Sequence, residues 1–308
     1  MKKGRGLKIG VVGLGVMGRH HARIASIWLK NGHLAAVADV NEQAGQEISR
    51  LYKADYYKNY QEIFPLVDAL IIATPTATHR DIASEAIKAK LPILVEKPLA
   101  ANAAEAQELA EIAKNNNVLV AVGMIERFNP AFVELVKLVS QEKIIGIDIK
   151  RQSPFAERIT DADVVFDVMI HDLDLMMSLL AKDELESVKA QGKRVKSQKL
   201  DIVNATFFFR SGNIVKVEAN RVFGSKTRKI TVATERALYE ADLLNKTVIM
   251  RTMEHPAPSS HFTKSYDQLT AEQQDFVFAI KRGRQPKVSA QAGLRCIKLA
   301  EEVQKACS

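Results

Sequence analysis

The stretch Leu7-Lys8-Ile9-Gly10-Val11-Val12-Gly13-Leu14-Gly15-Val16-Met17-Gly18 decides the fold. An apolar run ends in glycines with the spacing Gly-x-Gly-x-x-Gly, and an amphipathic stretch, Arg19–Lys30, follows. A strand, a glycine turn and a helix in this order bind the pyrophosphate of a dinucleotide, because the glycines permit a tight turn and a close approach of the main chain. The sequence therefore predicts a dinucleotide-binding Rossmann fold. The predicted cofactor contacts in this loop are Gly13, Gly15, Val16, Met17 and Gly18.

Strands and helices continue to alternate as far as residue 125. The predicted strands are Leu7–Val12, Leu34–Asp39, Ala69–Ala73, Ile93–Val95 and Val118–Val122. The predicted helices between them are Arg19–Lys30, Glu42–Lys53, Arg80–Lys88 and Ala103–Lys114. This order predicts an α/β fold with a parallel, doubly wound sheet over residues 1–125.

The pattern changes over residues 126–308, where short strand-like runs dominate. We expect an α+β domain with a largely antiparallel open sheet and two helices near its start, Pro130–Ser140 and Val164–Leu180. The segment Glu254–Ser265, rich in Pro, Ser and His, is expected to be a loop. Two helices, Thr270–Arg282 and Ser289–Ala306, are expected to close this second domain.

Composition and charge narrow the class of protein. Of 308 residues, 44 are Lys or Arg and 36 are Asp or Glu, which gives a net charge of +8. The basic residues are scattered and no aromatic-interleaved basic stripe occurs, so we expect no nucleic-acid partner. No apolar run approaches the roughly 18 residues of a membrane span, so we expect no membrane partner. We also expect no metal site.

The two cysteines, Cys296 and Cys307, point to a reducing compartment. On a helix they would lie about 16 Å apart, which is too far for a disulfide between them. A reduced, cytoplasmic protein is therefore expected.

Asp39 ends the second predicted strand, 21 residues after Gly18. A carboxylate there accepts hydrogen bonds from the adenosine ribose hydroxyls and repels a 2′-phosphate, so NAD is expected rather than NADP. The alternative is that Asp39 caps the helix that begins near Glu42.

Two further strand ends carry polar residues at the sheet edge where ligands bind. In Ala73-Thr74-Pro75-Thr76-Ala77-Thr78-His79 the proline ends the strand, and Thr74, Pro75 and His79 are predicted cofactor contacts. His79 has an alternative role as the partner of a main-chain group. In Glu96-Lys97-Pro98 the lysine is presented to the ligand, and Glu96 either holds Lys97 in place or contacts the cofactor ribose.

Asp167 and His171 lie four residues apart in the predicted helix Val164–Leu180, so they share a face. An acid one turn from a histidine orients the imidazole and stabilises its charged form. The alternative is an acidic helix start that complements the helix dipole, with a structural histidine. An ordinary histidine has a pKa of about 6.5 and an ordinary lysine about 10.4. His171 is therefore the simpler proton acceptor at neutral pH, with Lys97 as a cationic group beside the reacting oxygen.

Taken in this order, these motifs resemble the Gfo/Idh/MocA oxidoreductases over nearly the whole chain. The resemblance implies a Rossmann domain, an open-sheet second domain that builds a homo-oligomer (a dimer or tetramer), and NAD(P)-dependent oxidation or reduction of a sugar or cyclitol carbon. By the same resemblance, Lys97, Asp167 and His171 are the catalytic residues and contact the substrate. It also implies a cis peptide bond before Pro98.

Two stretches, residues 123–131 and 169–174, further resemble the branch of this family that oxidises C3 of UDP-N-acetyl-hexosamines or related uronic acids. Arg127, and Arg151 or Arg158, are expected to meet the sugar-nucleotide substrate there. Two alternatives remain. One is the same chemistry on inositol, a free sugar or a sugar phosphate. The other is a non-catalytic dinucleotide-bound sensor or assembly protein, which the joint presence of Lys97, Asp167 and His171 disfavours.

Overall fold

A computed structural model describes residues 6–157, 162–252, 257–263 and 265–307. Its α-helices are α1 Val16–Ile27, α2 Glu42–Tyr52, α3 His79–Lys88, α4 Ala103–Asn116, α5 Pro130–Val139, α6 Ile170–Leu179, α7 Gln268–Arg282 and α8 Ala290–Ala306. Its strands are β1 Leu7–Val12, β2 Gly32–Ala38, β3 Asp55–Tyr57, β4 Ala69–Ile72, β5 Ile93–Glu96, β6 Val120–Gly123, β7 Ile144–Gln152, β8 Leu185–Lys193, β9 Ile202–Phe209, β10 Ile214–Asn220, β11 Thr227–Thr234, β12 Ala237–Asp242, β13 Thr247–Thr252 and β14 Ser259–Phe262. Among the described residues, no helix is both long and apolar enough to cross a membrane.

The first sheet is parallel throughout, with strand order β3-β2-β1-β4-β5-β6. Strands β4, β5 and β6 are buried along their whole length, as expected when helices cover both faces. The order reverses between β1 and β4, and in such a sheet ligands bind beyond the carboxyl ends of the strands at this switch point. The predicted α/β fold class is confirmed.

The helix α7 belongs to this first unit and not to the second. The unit combines the chain up to Ile125 with Asp267–Arg295, whereas the sequence assigned everything after residue 125 to the second domain. The reason is packing: Phe276 and Val277 of α7 are buried in the same apolar cluster as strand β1. A helix that returns to a distant sheet leaves no local signal in the sequence.

The second unit contains Glu126–Tyr266 and the chain from Cys296 onwards. Its sheet has the order β14-β13-β12-β11-β7-β10-β9-β8 and is antiparallel except between β7 and β10, which confirms the largely antiparallel prediction. One face carries the buried core, for example Phe207 and Val217 with Leu173 of α6. The side chains of the other face alternate with these and retain exposure within one chain, as at Ile214 and Lys216.

Two local predictions are wrong. The expected single helix over Val164–Leu180 starts with a π-helical turn, Val165–Met169, and becomes α-helical at Ile170. The expected loop Glu254–Ser265, as far as it is described, includes strand β14, which pairs with β13. Main-chain pairing with an existing edge strand stabilises β14 without the apolar alternation that reveals a strand in a sequence.

Candidate active site

The glycine loop between β1 and α1 is shaped to receive a phosphate group. A Cβ atom at Gly18 would lie 1.7 Å from the carbonyl oxygen of Gly13, so helix and turn meet in closer contact than any other residue permits. A Cβ at Gly15, in contrast, would meet no heavy atom within 4 Å. Within the described residues, no side chain caps the start of α1. The open space at Gly15 and the uncapped helix start fit the pyrophosphate of NAD.

Asp39 lies just beyond β2 and is hydrogen-bonded to the glycine loop. Its Oδ2 accepts a hydrogen bond from the main-chain N–H of Leu14 at 2.5 Å, and its Oδ1 accepts one from Asn41 at 2.7 Å. The capping residue of α2 is Asn41, whose side chain accepts from Ala44 N, so the alternative role of Asp39 as that cap does not hold. Asp39 is half-buried beside the glycine loop, where the predicted ribose contact requires it.

Thr74 follows β4 and lies against the glycine loop, whereas His79 is the first residue of α3. The Cγ2 atom of Thr74 would be 2.8 Å from a Cβ at Gly13, and Pro75 is exposed at the turn. The imidazole of His79 is buried, with Nδ1 2.8 Å from the carbonyl oxygen of Pro98 and Nε2 2.9 Å from that of Thr74. These contacts match the alternative of a partner for main-chain groups rather than a direct cofactor contact.

Lys97 follows β5, and the residues on either side of it fix its main chain. Lys97 is half-buried, and the Lys97–Pro98 peptide bond is cis, as the resemblance implied. The buried carboxylate of Glu96 accepts a hydrogen bond from the Lys97 N–H at 3.2 Å through Oε2 and contacts Nε2 of His21 at 2.7 Å through Oε1. Glu96 thus occupies the position expected for holding Lys97 in place.

His21 and Gln273 are contacts that the sequence analysis missed. Both are fully buried, and the Gln273 amide donates to Nδ1 of His21 at 2.9 Å across 252 positions of sequence. Among the described residues, His21, Glu96 and Glu272 also have ligand atoms within 4.8 Å of one another, the spacing of a metal site. Since both ring nitrogens of His21 already have hydrogen-bonding partners, the cluster is explained without an ion, and the absence of a metal stays a prediction.

In the second unit, Asp167 and His171 are both half-buried. Asp167 lies within the π-helical turn and His171 within the first turn of α6. The carboxylate of Asp163 accepts hydrogen bonds from the N–H groups of Val165 and Phe166 and so fixes the start of the turn. Single π-helical turns are rare in proteins, and those that occur are often found at functional sites.

The arginines around this helix differ from one another in what they contact. Arg151 is buried and binds the carboxylates of Asp172 and Glu126 at 2.7–2.9 Å. The expectation that Arg151 meets an anionic substrate group is therefore wrong, because its charge is already compensated in the core. Arg127 donates to the buried carboxylate of Asp174 at 2.5 and 2.9 Å and keeps 15% side-chain exposure. Arg158, also a predicted substrate contact, lies outside the described residues.

In the buried ion network, pairing outweighs burial at Glu126 and Arg151, whereas burial outweighs pairing at Asp172 and raises its pKa. Burial raises the pKa of Glu126, but the charges of Arg151 and Arg228 outweigh it and hold the pKa below its ordinary value. Burial lowers the pKa of Arg151, but the carboxylates of Asp172 and Glu126 outweigh this and raise it. Arg228 reaches Glu126 at 2.9 Å while its own side chain is 41% exposed. The network ties α6 to β7 and β11 beneath His171.

Comparison with known proteins gives the family. Residues 7–124 match the model described as "Oxidoreductase family, NAD-binding Rossmann fold", and residues 145–240 match the "GFO/IDH/MocA C-terminal domain". The chain is 29% identical over 309 residues to UDP-N-acetylglucosamine 3-dehydrogenase of Acidithiobacillus ferrooxidans, with 97% of both chains covered. It is 27% identical to the NAD-dependent scyllo-inositol 2-dehydrogenase of Bacillus subtilis, over 92% of this chain and 89% of the other.

A solved structure of the Acidithiobacillus ferrooxidans enzyme has the same architecture. It superposes with a TM-score of 0.91 at 30% sequence identity and covers 97% of each chain. The fold, the cofactor loop and both family matches agree: the chain belongs to the Gfo/Idh/MocA family of NAD-binding oxidoreductases.

Proposed function

We propose that this protein oxidises the C3 hydroxyl of a UDP-N-acetyl-hexosamine, or of its uronic acid, with NAD as the acceptor. The observation that carries the proposal is the end-to-end similarity to the Acidithiobacillus ferrooxidans UDP-N-acetylglucosamine 3-dehydrogenase, which spans both units of the chain. A relative that matched the Rossmann unit alone would support cofactor use and say nothing of the substrate.

Within this proposal, the residues divide the work by their chemistry. NAD, when bound at the glycine loop, would supply the acceptor for the hydride of C3, and a residue of this chain must take up the proton from the C3 hydroxyl oxygen. His171 takes that proton as general base, and Asp167, one helical turn earlier, orients the imidazole. Lys97 stays cationic, donates to the reacting oxygen and stabilises the negative charge that develops there.

Support for Lys97 in this role comes from the way its main chain is held. Glu96 is buried, accepts from the Lys97 N–H and is itself bound by His21, while Pro98 follows through a cis bond. A catalytic group needs such a fixed support, because small errors in position cost large factors in rate.

The second candidate function is oxidation of an inositol or another polyol. It is favoured by the Bacillus subtilis scyllo-inositol 2-dehydrogenase, which is similar over 92% of this chain at 27% identity. The chemistry at Lys97 and His171 would be the same, and only the groups that bind the rest of the substrate would differ.

A substrate panel separates the candidates. Purified protein is incubated with NAD and each of UDP-N-acetylglucosamine, its uronic acid, scyllo-inositol, myo-inositol, glucose and glucose 6-phosphate. NADH absorbance and mass spectrometry of the keto product are both read, because a cofactor retained through a redox cycle gives product without net NADH. Turnover of a UDP-sugar alone supports the proposal, and turnover of an inositol alone supports the second candidate. Intact NAD binding with no product from any compound contradicts both.

A further inference from the structure

The imidazole of His79 faces two groups that can only accept hydrogen bonds. Its Nδ1 lies 2.8 Å from the carbonyl oxygen of Pro98 and its Nε2 2.9 Å from the carbonyl oxygen of Thr74, and the residue is 1% exposed. A neutral imidazole has one N–H and one lone pair, so it can donate to one carbonyl only, whereas the imidazolium donates from both nitrogens. Only the doubly protonated ring can therefore donate to both carbonyls at once.

The two carbonyls belong to the two segments that flank the cofactor edge of the sheet. Thr74 follows β4, and Pro98 follows Lys97 at the end of β5. His79, the first residue of α3, joins these segments across 19 and 5 positions of sequence. On the other side of Lys97, Glu96 accepts from the Lys97 N–H. The main chain that carries Lys97 is thus held from both directions.

We propose that His79 is a positioning residue, which fixes the main chain around Lys97 relative to Thr74 by donating from both ring nitrogens. The inference rests on the proposed role of Lys97 only for its catalytic consequence. The link between the two segments, and its effect on the cofactor edge, does not depend on the identity of the substrate.

Burial makes this link sensitive to pH. Burial lowers the pKa of His79. The hydrogen bonds to the carbonyls of Pro98 and Thr74 and the negative charge of Glu96 raise this pKa, but the effect of burial is larger. The second proton is therefore taken up below the ordinary histidine pKa of about 6.5. As pH rises through the pKa of His79, the ring keeps one donor and one of the two carbonyls loses its bond.

Arg80, which follows His79 on α3, has charged partners of its own. Arg80 binds Asp81 on α3 and Glu108 on α4, at 3.0 Å each. Glu96, at the end of β5, is hydrogen-bonded to His21 on α1. Of these groups, Glu96 is the one whose charge bears on the pKa of His79.

The first test is NMR of the full-length protein with ¹⁵N-labelled histidine, from pH 5 to pH 8. The His79 signals are assigned by their loss in His79→Asn, or in His79→Gln should the first variant not fold. We expect both His79 nitrogens to have the chemical shifts of N–H groups at the acidic end, and one of them to change as pH rises. A His79 nitrogen that stays unprotonated from pH 5 to pH 8 would overturn the proposal.

The second test measures NAD dissociation constants over the same range. For the wild type we expect the constant to rise about fivefold through the His79 titration, the effect of one lost hydrogen bond. His79→Asn should bind at all pH values as the wild type does at high pH. The control His33→Asn, at an exposed histidine in β2 of the same unit, should follow the wild type. If His79→Asn retains the wild-type pH dependence, the positioning role is wrong, whatever the substrate panel shows.

Discussion

The main chain at Lys97 is held by buried residues that have no chemical role in the proposed reaction. Glu96 and His79 are buried and contact the main chain on either side of it, and the buried His21 contacts the Glu96 carboxylate. From the sequence, the strand end Glu96-Lys97-Pro98 was recognisable because an acid and a cation are unusual after a buried apolar run. The residues that support this end were not, since a contact between His21 and Gln273 spans 252 positions and leaves no periodic pattern.

Removal of either proposed catalytic side chain should stop turnover without loss of the cofactor. For Lys97→Ala and for His171→Ala we expect kcat to fall by about 10²- to 10⁴-fold, the usual contribution of a positioned acid–base or electrostatic group. NAD affinity, measured by fluorescence titration, should stay within about threefold, because neither side chain is needed to bind the pyrophosphate. Near-wild-type kcat with the true substrate in either variant rejects the role assigned to that residue.

Asp39 is the residue expected to set the preference for NAD over NADP. In Asp39→Asn the one amide oxygen can accept from the Leu14 N–H, the hydrogen bond from the Asn41 N–H is lost, and the charge that repels a 2′-phosphate is gone. We expect the preference for NAD over NADP to fall at least about tenfold, which is about 1.4 kcal/mol. The matched control is Asp68→Asn, because Asp68 also accepts a main-chain N–H, that of Lys8 at 2.8 Å, at the start of β1. A preference unchanged by Asp39→Asn contradicts the ribose contact.

At the scale of elements, the loop between β1 and α1 offers two glycines with opposite surroundings. Gly15→Ala adds a methyl group where no heavy atom of the protein lies within 4 Å, so the free energy of unfolding should change by less than about 1 kcal/mol. NAD affinity should fall at least about tenfold, because the methyl group takes the space of the pyrophosphate. Gly18→Ala places its methyl group against the Gly13 carbonyl and should reduce the free energy of unfolding by more than about 2 kcal/mol. Urea unfolding and NAD titration on both variants separate fold from cofactor, and wild-type NAD affinity in Gly15→Ala would contradict the loop's role.

The turn before β9 carries a buried acid that controls stability at low pH. Asp201 accepts hydrogen bonds from the main-chain N–H groups of Val195, Lys196 and Ser197 and from the Arg221 guanidinium. Burial raises the pKa of Asp201, but these hydrogen bonds outweigh it and hold the pKa far below the ordinary value. A carboxyl with a lowered folded-state pKa stabilises the fold above its unfolded pKa of about 3.9, and this stability is lost as pH falls further.

The lowered pKa of Asp201 leads to a prediction for Asp201→Asn. At pH 7 the variant should be about 3–5 kcal/mol less stable, because Arg221 loses its buried partner. Below about pH 4 the gap to the wild type should narrow, since the unfolded wild type takes up a proton at Asp201 there and the unfolded variant does not. Urea unfolding at pH 7, 5, 4 and 3.5 measures this, with Asp148→Asn, at a 42% exposed side chain of β7, as the control. A gap that stays constant with pH contradicts the assignment.

The whole molecule shows which parts of a fold local sequence can specify. The parallel sheet was predictable because each strand is a short apolar run followed by an amphipathic helix, and the period of each pattern is local. The placement of α7 in the first unit was not, because its buried residues Phe276 and Val277 would suit either apolar core equally well. The π-helical turn at Val165–Met169 was also missed, since apolar spacing does not distinguish a single wide turn from an α-helix.

At this scale the open face of the second sheet supports the expected homo-oligomer, which is still a prediction. Within one chain this face exposes apolar side chains among charged ones, with Ile214 45% and Leu238 37% exposed. A broad, flat sheet face can supply the 1,000 Å² or so that a specific interface needs.

We expect size-exclusion chromatography with light scattering to give two or four times 34.2 kDa. Ile214→Glu should shift the mass towards the monomer, because a buried carboxylate without a partner is costly. Leu51→Glu, at a 62% exposed position on α2, should leave the mass unchanged. A wild-type monomer at micromolar concentration would contradict the oligomer itself. An oligomer that withstands Ile214→Glu would instead assign the interface to another surface.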